Sequence, residues 1–173
     1  MFIHTMTKSE CQHALKNAKV GRLACARDNQ PYVVPIYFAY DERHLYAIST
    51  LGQKIEWMRV NPYVCLEVDE VISREQWMSV VVFGRYEELP DQPQHKRARE
   101  EALRLLQNRS AWWWEPACIC EGHRDTPHSC VPVAFRIRID HMSGLHAMPD
   151  VAPPAIEKPD KRGWLAHILG SQR

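Results

Sequence analysis

At 173 residues, 45% of them hydrophobic and 25% charged, the chain has the size and make-up of one ordinary globular domain, which excludes a disordered, collagen-like or membrane-embedded polypeptide. Lys plus Arg at 22 against Asp plus Glu at 21 leaves a net charge of +1, so no long-range field gathers nucleic acid, and no apolar run nears the roughly 18 residues a membrane helix requires. Neither nucleic acid nor a membrane is expected as a partner. Met1 to Met6 lacks the basic start and apolar stretch of a signal peptide, and six scattered cysteines fit a reducing compartment, so a cytoplasmic location is expected.

Thr7 and Glu10 form the pattern of a capping box, which predicts a short helix over Lys8 to Lys16. Val20 to Arg27 is a run of small and apolar residues, and the turn chemistry of Asp28-Asn29-Gln30-Pro31 joins it to a strand-like run from Tyr32 to Tyr40, together a hairpin. After a turn at Asp41-Glu42-Arg43, His44 to Ser49 alternates as a third strand. Ile55, Met58 and Arg59 have helical spacing, and Pro62 ends that helix. Tyr63 to Val71 sets Val64, Leu66 and Val68 against Cys65, Glu67 and Asp69, the alternation of a half-exposed strand. A long strand is expected from Trp77 to Leu89, with Gly84 marking a bulge or a close backbone approach. Gln92 to Gln107 reads as a surface helix with Ala98, Ala102, Leu105 and Leu106 on its apolar face.

Beyond that helix come Trp112-Trp113-Trp114, a loop rich in cysteine and histidine, and a sixth strand from Pro132 to Asp140. Pro149, Pro153, Pro154 and Pro159 mark a linker, after which Trp164 to Leu169 has the make-up of a small amphipathic turn. The expected division is therefore a domain over residues 1–148 and a proline-rich tail over 149–173. Six strands in meander order with short helices between them suggest a mainly β fold, an antiparallel barrel whose closure removes exposed sheet edges.

The segment Ile48-Ser49-Thr50-Leu51-Gly52-Gln53-Lys54 leaves a strand, supplies two hydroxyls, turns at a glycine and opens a helix with a lysine. Backbone N–H groups at a helix start, an ammonium and hydroxyls together suit a phosphate. On spacing alone, an ordinary strand-to-helix cap with a solvated lysine is the commoner reading.

The order of Gly21-Arg22-Leu23, Pro31 to Pro35, Leu45-Tyr46, Ser49 to Lys54, Asn61-Pro62, Val64 to Asp69 and Val80 to Arg85 resembles the FMN-binding split-barrel superfamily of pyridoxamine 5'-phosphate oxidase. Pro31 to Pro35, Trp113 to Pro116 and Phe135 to Asp140 look most like its branch of 5-nitroimidazole-resistance proteins. The resemblance spans roughly residues 7 to 147. It implies a six-stranded antiparallel split β-barrel, a homodimer, and FMN at the subunit interface, in an oxidoreductase passing electrons or hydride from a reduced nicotinamide to a small acceptor. Carried over, Ser49, Thr50 and Lys54 fall at the FMN phosphate, Ile48 falls among the cofactor-binding residues, and Val33, Val34 and Pro35 line the flavin edge through their backbone. Ser79 takes the place of a glutamine facing the isoalloxazine. Two departures accompany the match. Gln53 stands where the oxidase has an arginine and some nitroimidazole-resistance proteins a histidine, and the oxidase's substrate-binding arginine and histidine find no counterpart, which disfavours vitamin B6 oxidation.

Two other readings belong to different classes. Members of the superfamily also bind haem, with His44 or a loop histidine as axial ligand. Cys118, Cys120, His123, His128 and Cys130 are zinc-compatible in type, but their irregular spacing is not that of common zinc modules, and no metal is expected there. The surplus of Tyr32, Tyr37, Phe38, Tyr40, Trp77 and Phe83 on strands suggests an apolar outer patch that pairs two chains. No catalytic residue is assigned.

Overall fold

In a computed structural model of the chain, which describes residues 1–109 and 132–150, Thr7 opens helix α1 (Lys8–Asn17) through the expected capping box. The Glu10 amide donates to Thr7 Oγ1 at 3.3 Å, and the Thr7 amide donates to Glu10 Oε2 at 2.6 Å. The strands are β1 (Phe2–Thr5), β2 (Val20–Arg27), β3 (Gln30–Tyr37), β4 (Ala39–Asp41), β5 (His44–Thr50), β6 (Tyr63–Ser73), β7 (Gln76–Glu88) and β8 (Pro132–Met148). Helix α2 (Gln53–Val60) follows β5, and α3 (Lys96–Gln107) follows a 3-10 turn at Pro93–His95. None of the described helices is long and apolar enough to cross a membrane. The tryptophan run, the cysteine and histidine loop and the tail beyond Asp150 lie outside the described residues.

All strand pairs are antiparallel and run in the order β3-β2-β6-β7-β8-β5-β4, with β1 on β8, the mainly β architecture of a split barrel. The six expected strands are present but do not form the expected meander, since β2 pairs with β6 and β5 with β8. Two further differences have local causes. The run from Tyr32 to Tyr40 breaks at Phe38, whose amide donates to Lys19 O at 3.3 Å and whose carbonyl accepts from Arg109 at 3.1 Å, so neither group is left for a continuous ladder. The final strand continues to Met148 because a bulge between Phe83 and Gly84 re-registers β7 against β8, and β1 then pairs with the extension. The β2–β3 hairpin turns on Asp28 and Asn29 at φ 50° and 62°, the left-handed pair that matches the twist of the flanking strands.

Inward positions alternate with outward ones. Leu23, Leu66, Val68, Val80, Val82 and Phe135 fill the barrel, each 1% exposed or less. The expected outer patch of aromatics is corrected here: Tyr37, Phe38 and Tyr40 are buried, and Tyr32 stacks inside against Trp57 at 5.6 Å. Phe38 and Tyr40 belong to the barrel core, while Tyr37 faces the other way and is covered by α3 through Leu106, so of that group Phe83 alone is strongly exposed, at 49%.

Gly84 is required by close approach. A Cβ there would meet Ile137 Cγ2 at 2.7 Å and press on the Arg138 carbonyl oxygen. Because that neighbour is backbone, Gly84→Ala is expected to cost about 1–3 kcal/mol, read as a lower denaturant midpoint with unchanged slope. An unchanged midpoint would mean that the bulge yields freely.

Candidate functional site

Among the described strands, β3 ends the strand path and bonds only to β2, so along its other edge every second residue presents backbone N–H and C=O groups to no described strand. Val33, Val34 and Pro35 lie on this edge. The side chains of Val33 and Pro35 are exposed on the outer face, and Val34 packs inward. Strand β5 passes beside β3 and delivers Ile48, Ser49 and Thr50, all half-buried, to the start of α2. Ile48 packs against the buried group of Tyr46, Leu89, Ala102 and Ala134 under α3, while the Ser49 hydroxyl donates to the Thr50 carbonyl at 3.2 Å.

Helix α2 begins at Gly52 with no side-chain cap, and a Cβ at Gly52 would meet nothing within 4 Å. No described side chain caps its first amides, which form the positive end of the helix. Lys54 sits there half-buried. Burial pulls its ammonium below the ordinary lysine value, and among the described residues no carboxylate faces it; Cys25 is its one electrostatic neighbour. A half-buried cation without a counter-ion, at an uncapped helix start, is an arrangement that favours an anion. Tyr32 and Trp57 wall the barrel side of this corner.

Ser79 stands apart from that corner, on the outer face of β7. It connects to the β3 edge through cross-strand neighbours: Pro35 opposes Arg22, and Arg22 opposes Glu67. Glu67 Oε1 accepts from the Ser79 hydroxyl at 2.9 Å, and Glu67 Oε2 accepts from Arg22 at 3.1 Å. Arg22 also donates to Asp69. The sequence assigns Glu67 and Asp69 to the polar side of their strand without naming a partner, and gives Arg22 no role of its own. The period-two alternation that places Arg22, Glu67, Asp69 and Ser79 all outward is the signal that points to them. Asp140 pairs with Arg85 at 3.2 Å and Arg138 at 3.3 Å. On the same outer face, Val33, Ala24, Cys65 and Phe83 oppose one another in a row across four strands.

His44, the possible axial ligand, lies at the other end of β5, with Nδ1 3.5 Å from Asp41. Burial and the neighbouring Arg136 hold its pKa below the ordinary histidine value. Among the described residues no three His, Cys, Asp or Glu side chains gather as metal ligands, and the five loop residues proposed as zinc-compatible lie outside them.

Comparison with known proteins gives the following. The family model described as pyridoxamine 5'-phosphate oxidase matches residues 7–146. An uncharacterised protein of Rhizobium meliloti is 41% identical over 147 residues, which cover 85% of this chain and 97% of the relative. The crystal structure of a FAD-binding protein from Mesorhizobium loti superposes with a TM-score of 0.69 at 46% identity, covering 86% of this chain and 99% of the other. A putative 5-nitroimidazole antibiotic resistance protein from Bacteroides thetaiotaomicron has the same fold, with a TM-score of 0.61 at 19% identity over 84% of this chain and 89% of its own.

Proposed function

This chain belongs to the pyridoxamine 5'-phosphate oxidase family, and we propose that it is a flavoprotein whose β3 edge and α2 start hold the FMN part of the cofactor. The observation that carries this reading is Lys54, a half-buried ammonium without a carboxylate partner among the described residues, beside the uncapped amides of α2. In this reading Lys54 balances the phosphate, and the Ser49 and Thr50 hydroxyls donate to its oxygens, Ser49 exchanging its local bond to the Thr50 carbonyl. The backbone of Val33 to Pro35 addresses the ring edge. Ser79, whose proton is committed to Glu67, offers its lone pairs to a ring N–H. When bound, the flavin supplies two-electron redox chemistry between a reduced nicotinamide and a small acceptor.

FMN is the ligand the resemblance implies. FAD is the second reading, favoured by the FAD-binding Mesorhizobium loti protein at 46% identity, and it contains the same FMN part. We further propose a homodimer, which covers an otherwise exposed ring, and a cytoplasmic location, which suits the free thiols of Cys11, Cys25 and Cys65. The absorption spectrum of the purified protein, followed by chromatography of the heat-released cofactor, is expected to show one flavin per chain and to identify it as FMN or FAD. A haem spectrum without flavin, or no uptake of either flavin by the apo-protein, overturns the proposal.

A further inference from the structure

A cavity of about 520 Å³ opens between α1 and the end of the β6–β7 hairpin and shares no lining residue with the candidate flavin site. That volume is in the range of sites that enclose a small organic molecule. Its apolar lining comes from Met6, Ala14, Ile72, Trp77 and Met78. The methionines supply polarisable thioethers, and the half-buried indole of Trp77 supplies the side-chain type with the strongest attraction for cations.

Glu10 and Glu70 line this cavity together with His13 and His146, and among the described residues no lysine or arginine does, so its permanent charges are the two carboxylates. Glu10 is fixed by Thr7, whose amide and hydroxyl both donate to Oε2, leaving Oε1 without a hydrogen bond among the described residues. These bonds hold the Glu10 carboxyl below the usual carboxylate range, so it stays ionised at neutral pH. Glu70 has no ion-pair partner among the described residues. The cavity on the other side of Met6, of about 620 Å³, is mixed in sign, with Lys8, Arg43 and Arg138 beside Glu42 and Asp140 in its lining.

We propose that the cavity between α1 and the β6–β7 hairpin is a binding site for a small organic cation with a flat apolar body, seated on Trp77 and the methionines with its charge toward Glu10 and Glu70. It stands independently of the flavin reading. Titration calorimetry on the full chain as purified, with N-benzylquinolinium and its uncharged analogue 3-benzylquinoline at pH 8, tests it. The cation is expected to bind at least about tenfold more tightly than the neutral analogue, and Glu70→Gln and Trp77→Leu each to weaken the cation about fivefold or more. Equal affinity for the two probes, no binding of the cation, or cation binding that neither variant changes overturns the proposal. Glu70 is exposed, so Glu70→Gln keeps the test decisive should Trp77→Leu unfold the chain.

Discussion

Replacing Lys54 by alanine is expected to weaken FMN binding by about tenfold or more, and to weaken riboflavin binding far less. A charge-assisted hydrogen bond is worth roughly 1.5–3 kcal/mol, and riboflavin, without a phosphate, never makes it. Lys54 is half-buried, and that burial already disfavours its charged form. A phosphate supplies the missing counter-charge, so affinity should be full while the free lysine is protonated and should fall as pH rises through its depressed pKa. Alanine is a good helix former, so α2 should persist in the variant. Quenching of flavin fluorescence on titration with apo-protein measures both ligands on one scale, and FAD in a third titration should suffer as FMN does. Equal weakening for FMN and riboflavin would remove Lys54 from the phosphate position and leave the helix start as an ordinary cap.

What could be read in the sequence was whatever neighbouring residues decide between themselves. Thr7 and Glu10 are three residues apart and need nothing else to start α1. Asp28-Asn29 sets its hairpin by backbone preference alone, and the grouping of Ser49, Thr50 and Lys54 spans a single strand-to-helix junction. Gly84 was legible as a bulge because a glycine inside an apolar run has few other uses. The rest depends on partners distant in the chain. Arg22 finds Glu67 and Asp69 at separations of 45 and 47 residues, fixed only by the register of β2 against β6. The break at Phe38 depends on Arg109, 71 residues later, and nothing near Phe38 announces it. The aromatic surplus was misassigned because alternation states that neighbouring side chains face opposite sides and leaves open which side is the interior.

Placing a glutamate on the outer sheet face is expected to separate two chains and release the cofactor together. Val33 and Phe83 are 58% and 49% exposed, and the row Val33, Ala24, Cys65, Phe83 runs across four strands with no charge in it. Further along the face Ile3 and Leu145 are 52% and 46% exposed. In the proposed homodimer a two-fold axis through this face would bring each row against its own copy. Phe83→Glu then sets two carboxylates against each other in a desolvated contact, whereas in a single chain the same side chain points to water and leaves the barrel core untouched. The β3 edge borders this face through Val33 and Pro35, so a flavin lying along it would lose its cover when the chains part. Light scattering at micromolar concentration should therefore give two chains for the wild type and one for Phe83→Glu, with flavin content falling in the same variant. A wild-type single chain that retains one flavin per polypeptide would overturn the two-chain site, and so would a Phe83→Glu protein that remains a flavin-loaded dimer.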